Sequence, residues 1–253
     1  MFKPALVVPC YDHEGAIGQT LGNLKALGLP CIVVDDGSGE ACRRVLAEIA
    51  QRERSWVTLC THALNQGKGA AVITGCEAVL AAGFTHAVQV DADGQHDVRD
   101  IAPLLETARA HPGDAVTGCA QYDATVPKSR FYGRYLTHLW VWINTLSLQI
   151  KDAMCGLRVY PLAATCAVWR SQSLGLRMEF DPEILVRLHW SGVGVRSVPV
   201  RVHYPTDGVS HFDLLMDNVR ISGMHARLFF GMLLRLPRLL ARRLRALAPG
   251  AAA

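Results

Sequence analysis

The chain has 253 residues, half of them hydrophobic, and a formal net charge of +4. That length supports one good-sized core, or one core with an appendage. No run of about 20 uninterrupted apolar residues offers a membrane-spanning helix, and MFKPALVVPCY is too short an apolar stretch for a signal peptide. The cysteines form no CxxC pair and no zinc spacing, so they read as reduced, mostly buried thiols of a cytosolic protein.

In chain order, ALVVP (5–9) is an apolar strand stopped by proline. Residues 15–27 put Ile17, Leu21, Leu24 and Leu27 on one helical stripe. CIVVDDGSG (31–39) is a strand running into an acidic turn, and Glu40 to Arg54 is a helix. A strand at 56–60 leads to the glycine-rich loop HALNQGKG (62–69) and a helix over 70–82. THAVQV (85–90) is a fourth strand, followed by VDADGQHD, a helix over 98–110 and a fifth strand at 115–119. Residues 129–149 are helical and apolar, and 151–161 is a loop and a short strand. A helix over 180–192 stops at Gly192, and 193–204 alternates as a strand. A basic, apolar helix runs from His211 to Pro237, where a kink is expected, with LLARRLRALA beyond it.

Strands alternating with helices predict an α/β fold with a mostly parallel sheet flanked by helices. The unusual residues then collect where ligands bind in such sheets, at the C-terminal strand ends: Pro9–Glu14, Asp35–Gly37, Asn65–Gly69 and Asp91–Gln95. Asp91 and Asp93, with the Gln95 carbonyl oxygen, make an oxygen donor set suited to Mg²⁺ or Mn²⁺; read alone, the same stretch is a solvated turn. Asp35 or Asp36 can accept hydrogen bonds from a base or ribose, or cap the next helix. The first loop, PCYDHEG, lacks GxGxxG, and NQGKG is not a Walker A sequence, yet Lys68 can meet a phosphate or a carboxylate at a helix N-terminus.

VVPCYDHE, VVDDGS, LNQGKGAA, VDADGQHD, DAMCGLRVYP and VPVRVHYPTDGVSHF, in this order, resemble family 2 glycosyltransferases of the GT-A fold, above all the dolichol-phosphate-mannose-synthase-like branch. The resemblance covers residues 5–225. It implies a nucleotide-sugar site at Pro9, Tyr11, Glu14, Asp35, Asp36, Lys68 and Asp91, with Asp91, Asp93 and Gln95 on the metal. It also implies a UDP-sugar or GDP-sugar donor, a lipid or polyprenyl phosphate acceptor, and inverting hexosyl transfer. Relatives carry Gly-Ser-Arg after the fifth strand, where this chain has GCAQ. Arg130 and Arg134 on the following helix can supply the charge that Gln121 lacks. Asp152 opens the D-x-x-C-G-L-R motif, either lining the cleft or capping a turn, and Arg158 ends it as a phosphate ligand or a structural arginine. His211 stands where relatives have lysine and can contact the donor phosphate. Glu179, Asp181 and Glu183 include a candidate base, which an alcohol acceptor needs and a phosphate does not; Glu183 is equally a helix-orienting residue. The candidate catalytic set is Asp93, Asp152, Arg158 and Glu183.

No acid follows Asp217, and seven arginines lie between Arg220 and Arg245. An amphipathic helix on an anionic membrane surface fits this asymmetry; packing on the catalytic domain or a subunit interface is the alternative, and no nucleic-acid reading module is present. The expected organisation is a catalytic domain over 1–225 and a basic appendage over 226–253, at the inner face of the cell membrane. Two rivals are a nucleotidyltransferase and a non-catalytic membrane-associated scaffold.

Overall fold

A computed structural model describes residues 1–121, 128–201 and 213–247, with only the backbone at 128–132 and 245–247. Among the described residues seven strands form one sheet: β1 (Pro4–Cys10), β2 (Cys31–Asp35), β3 (Val57–Thr61), β4 (His86–Gln89), β5 (Ala115–Gln121), β6 (Arg158–Pro161) and β7 (Val195–Arg201). Their order is β3-β2-β1-β4-β6-β5-β7. All neighbours are parallel except β6, which runs antiparallel to both β4 and β5. The helices are α1 (Glu14–Leu24), α2 (Glu40–Arg52), α3 (Lys68–Ala81), α4 (Ile101–Ala110), α5 (Lys128–Thr145), α6 (Leu162–Ser171), α7 (Phe180–Ser191) and α8 (Met216–Leu247).

Strand alternation sorts the core into two layers. Leu6, Val8, Val33 and Val88 face α1, α2 and α4, packing with Ile17, Leu21, Leu46 and Leu104. Ala5, Val7, Ala87 and Tyr160 face the other way, against Val72 and Val79 of α3, Cys166 of α6 and Phe180 and Ile184 of α7. A third cluster lies between helices, where Val141 of α5, Leu185 and Trp190 of α7, and Met224, Leu228, Met232 and Leu239 of α8 pack together. The eight cysteines are all free thiols.

Three departures from the sequence reading have local causes. β1 runs through Pro9 to Cys10 instead of stopping. Leu6 donates to Pro30 on the β2 side and Val7 accepts from Val90 on the β4 side, so the alternation turns the Pro9 nitrogen to the β4 side. There β4 pairs no further than Val7, and the missing N–H breaks no ladder bond. α6 begins directly after β6, with Pro161 at its N-cap, inside an apolar run that carries no polar boundary. α8 passes through Pro237 without ending. Met232 and Leu239 are buried on either side of it, and that packing offsets the lost helical hydrogen bond.

Chain order reverses beside β1. The chain steps outward through β2 and β3, then returns to place β4 on the other side. The crevice at the C-terminal ends of β1 and β4 is therefore the topological switch point, where open α/β sheets bind ligands.

Candidate active site

Asp91 follows β4 at this switch point, and Lys68 opens α3 opposite it. The Lys68 Nζ lies 2.9 Å from Asp91 Oδ1 and 2.9 Å from Asp181 Oδ2. Burial alone would lower the Lys68 pKa; the Asp181 and Asp91 carboxylates outweigh it and hold the ammonium well above the usual lysine value. Burial likewise opposes ionisation of Asp91, but Lys68 brings its pKa below the ordinary one. Asp93 goes the other way, raised first by burial and then by the neighbouring Asp91 charge. Its Oδ1 accepts the Gln95 backbone N–H at 3.0 Å, which closes the DADGQ turn. Gly156 backs Asp91 so closely that any Cβ there would collide with the carboxylate.

A buried relay supports the far side of this cluster. Arg158 is fully buried, and its Nε donates to Cys155 O (2.7 Å), one terminal nitrogen to Asp181 O (2.6 Å) and Tyr160 Oη (3.2 Å), and the other to Ala153 O (2.8 Å). Tyr160 donates to Gln89 Oε1 at 3.0 Å, and Gln89 Nε2 reaches Asp181 Oδ1 at 3.4 Å. Arg158 thus spends all three nitrogens on protein oxygens, the structural alternative. Gln89 and Tyr160 were missed from sequence; a glutamine inside the apolar run HAVQV is the signal that could have found them.

The two aspartates after β2 tie loops together. Asp35 Oδ1 accepts Ser38 N at 2.9 Å. Asp36 accepts His62 Nδ1 (2.7 Å), Gln66 N (2.9 Å) and Gly67 N (2.7 Å), so it shapes the NQGKG loop from 30 residues away in sequence. Gly67 has φ +106°, and its backbone passes against Leu176 and Arg177, leaving no room for a side chain. In the first loop, Pro9 is in β1, Tyr11 is partly buried and Glu14 is exposed at the start of α1. Asp12 Oδ1 accepts Gly39 N at 2.7 Å, and Asp12, Glu14 and Cys42 bring ligand atoms within 4.8 Å of one another.

Asp152 is buried and accepts Met154 N (2.8 Å), Cys155 N (3.1 Å), Ala120 N (3.1 Å) and two bonds from Arg134 (3.0 and 2.9 Å). Burial would raise its pKa, but the His138 hydrogen bond and the Arg134 charge hold it far below the usual carboxylate range. It caps the turn that presents the CGLR motif and anchors α5 to β5. Glu183, fully buried, accepts Arg187 Nε (2.9 Å), a second Arg187 nitrogen (2.6 Å) and Gly175 N (2.9 Å), which orients α7 and the loop before it. Arg130 lies on the stretch of α5 described by backbone only, and His211 lies outside the described residues.

This donor set suits a divalent cation. Asp91 Oδ1 is buried and, besides the ion pair with Lys68, accepts no hydrogen bond among the described residues. Asp93 is electrostatically strained by Asp91, a strain that a shared cation relieves. Both residues offer oxygen, the donor type that Mg²⁺ and Mn²⁺ take. The residues fit the ion.

Comparison with known proteins identifies the family. The model of the family described as "Glycosyl transferase family 2" matches residues 5–174. The chain belongs to that family, and it is a glycosyltransferase. A UDP-N-acetylglucosamine–dolichyl-phosphate N-acetylglucosaminyltransferase of Methanococcus voltae is 26% identical over 214 residues, covering 79% of this chain and 85% of that protein. Among solved structures, the Mycobacterium tuberculosis glucosyl-3-phosphoglycerate synthase with Mn²⁺ and UDP-glucose superposes with a TM-score of 0.65 at 13% identity, covering 91% and 79% of the two chains. The Pyrobaculum calidifontis mannosyltransferase with GDP-mannose and Mn²⁺ gives 0.56 at 18% identity, covering 98% and 76%. These structures share the GT-A architecture of a mixed sheet flanked by helices. Among the described residues, no helix is long and apolar enough to cross a membrane.

Proposed function

We propose that the protein transfers a sugar from a UDP-sugar or GDP-sugar to a polyprenyl phosphate or another lipid-linked acceptor, in the manner of the dolichol-phosphate-mannose-synthase-like branch. The observation that carries this reading is the Lys68–Asp91–Asp181 cluster, with Asp93 beside it, at the switch point between β1 and β4. Asp91 and Asp93 would hold Mg²⁺ or Mn²⁺, with Gln95 as the third residue of the motif. When bound, such an ion stabilises charge developing on the leaving diphosphate. The protein's own part is positioning: Asp36 fixes the Gly67 amide at the mouth of α3, Arg158 fixes Asp181, and Asp152 fixes Arg134.

A phosphate acceptor fits the carboxylates better than an alcohol. Asp181 lies in an ion pair with Lys68 and Glu183 in one with Arg187, so each carboxylate faces a cation of the protein rather than an acceptor hydroxyl. An acceptor already anionic at neutral pH needs no such base, and displacement at the anomeric carbon then inverts its configuration. The Methanococcus voltae relative, named for a dolichyl-phosphate acceptor, supports this choice.

The same acceptor places the enzyme at a membrane surface. Leu136 and Leu139 of α5 and Phe230, Leu233, Leu234, Leu240 and Leu244 of α8 are exposed among arginines. This pattern suits an interfacial helix on anionic lipid at the inner face of the cell membrane. The stretch from residue 226 onward is the later part of α8, which buries Leu228, Met232 and Leu239 on one face and exposes these α8 leucines on the other.

Calorimetric titration with UDP and GDP, each with Mn²⁺ and with EDTA, tests the donor site. One nucleotide should bind only with metal, and Asp93→Ala should weaken it by at least about tenfold, the loss of one strong charge-assisted contact. Folded protein that binds neither nucleotide would sink the reading.

A further inference from the structure

Outside the cluster at β4 lies a cavity of about 600 Å³, bounded by residues 172–175, Glu179 and Arg187 of the α7 region, and Arg227 and Arg235 of α8. Its volume is many times that of one water, so it accommodates a molecule larger than a simple ion. Along α7, Glu179, Glu183 and Arg187 succeed each other at four-residue spacing and share a face, while Asp181 turns away towards Lys68. The cavity is therefore on a different face of α7 from the cation cluster.

Two of its three arginines are not used up internally. Arg187 is spent: two nitrogens bind Glu183 and the third donates to Gln172 Oε1 at 2.7 Å. Among the described residues Arg227 makes one long contact, 3.4 Å to Glu183 Oε2, and its side chain is 57% exposed. Arg235 donates one bond to Gly231 O and lies over the Trp190 ring at 4.6 Å, which holds the guanidinium in place; among the described residues its other N–H groups have no acceptor. Across the cavity, Glu179 is only 7% exposed, and its Oε2 accepts no hydrogen bond among the described residues. Gly175 packs against the Glu179 side chain so tightly that no Cβ would fit.

A buried carboxylate oxygen without a donor is costly. Two arginines with N–H groups to spare, and a Glu179 oxygen that accepts no hydrogen bond among the described residues, suit a ligand with an anionic end and a hydrogen-bond-donating end. We propose that this cavity binds a phosphate ester that also bears a hydroxyl group, its phosphate on Arg227 and Arg235 and its hydroxyl donating to Glu179. Guanidinium forks match phosphate oxygens in pairs. The ester could be a lipid headgroup or a free metabolite; the chemistry is shared.

The full chain is titrated calorimetrically with sn-glycerol 3-phosphate, inorganic phosphate and glycerol, in about 0.15 M salt so that loose surface binding is screened, and without nucleotide or metal. Glycerol 3-phosphate should bind saturably and more tightly than inorganic phosphate, and glycerol not at all. Arg227→Gln with Arg235→Gln should weaken it by about tenfold or more, as expected for two lost charge-assisted contacts, with the circular dichroism spectrum unchanged. Glu179→Gln should weaken glycerol 3-phosphate and leave inorganic phosphate unaffected. Competition by phosphatidylglycerol vesicles assigns the site to a headgroup, and lack of competition assigns it to a free ester. Absence of saturable binding, equal binding by the double arginine variant, or equal affinity for inorganic phosphate overturns the proposal. The readout is independent of donor nucleotide, so failure of the Asp93 test leaves it standing.

Discussion

At the scale of single residues, Lys68 joins two carboxylates from distant parts of the chain, Asp91 after β4 and Asp181 in α7. Lys68→Met takes the ammonium from both acids and leaves Asp181 with the longer contact to Arg158 at 3.5 Å. Thermal or denaturant unfolding should register a loss of about 2–4 kcal/mol, somewhat under the range for fully buried pairs because Lys68 retains 18% exposure. Unchanged stability would mean the ion pair contributes nothing. His225 gives a pH signature. Burial lowers its pKa to about 4, and its Nδ1 faces the Asn144 amide at 3.5 Å, an arrangement for the neutral ring. The unfolded chain binds a proton near pH 6.5 and the folded one only near 4, so stability is full above about pH 6.5 and falls as pH drops through that window. His225→Phe keeps an aromatic ring against Trp140, and its stability should decline less between pH 6.5 and 4. Parallel curves for the two proteins would refute this assignment.

At the scale of elements, α8 carries Pro237 between buried turns. Pro237→Ala restores a backbone donor and should stabilise the protein by roughly 1–2 kcal/mol, less than the full proline penalty because the packing has adapted. A lower melting temperature would show instead that the core around Leu239 depends on the proline geometry. Sequence periodicity located most elements because amphipathic helices and buried strands differ in period. It failed at α6, where LAATCAVW is apolar with no polar boundary after β6. The orientation of β6 was equally illegible, because an antiparallel strand buried on both faces has the same composition as a parallel one. For the site, the sequence located the clusters but could not assign partners. Asp36 resembles a base-reading acid until the amides of Gln66 and Gly67 are seen on it, and these are backbone groups that no residue type announces. Arg158 was no more legible: its motif left a phosphate ligand and a structural arginine equally open, and only the backbone oxygens of Ala153, Cys155 and Asp181 around its guanidinium decide for the second.

At the scale of the whole molecule, the exposed apolar residues of α8 concern partners beyond the fold. If that face meets lipid, Leu234→Glu with Leu244→Glu should cut co-sedimentation with anionic vesicles by roughly tenfold, on the basis of about 1 kcal/mol or less for each partly inserted leucine. Because the catalytic cleft is remote from those side chains in sequence and element, calorimetric nucleotide affinity should be unaffected. Equal sedimentation of variant and parent would assign the exposed leucines to another use.

The bridging lysine also has a thermodynamic consequence. An ammonium that already balances Asp91 and Asp181 competes with any incoming divalent ion for Asp91. A polyphosphate arriving with the ion offers Lys68 a replacement anion, so each visitor removes the penalty facing the other. Affinity for metal and for nucleotide should therefore be mutually enhancing, each raising the other by the same factor. Lys68→Met would lessen that cooperativity by removing the competitor.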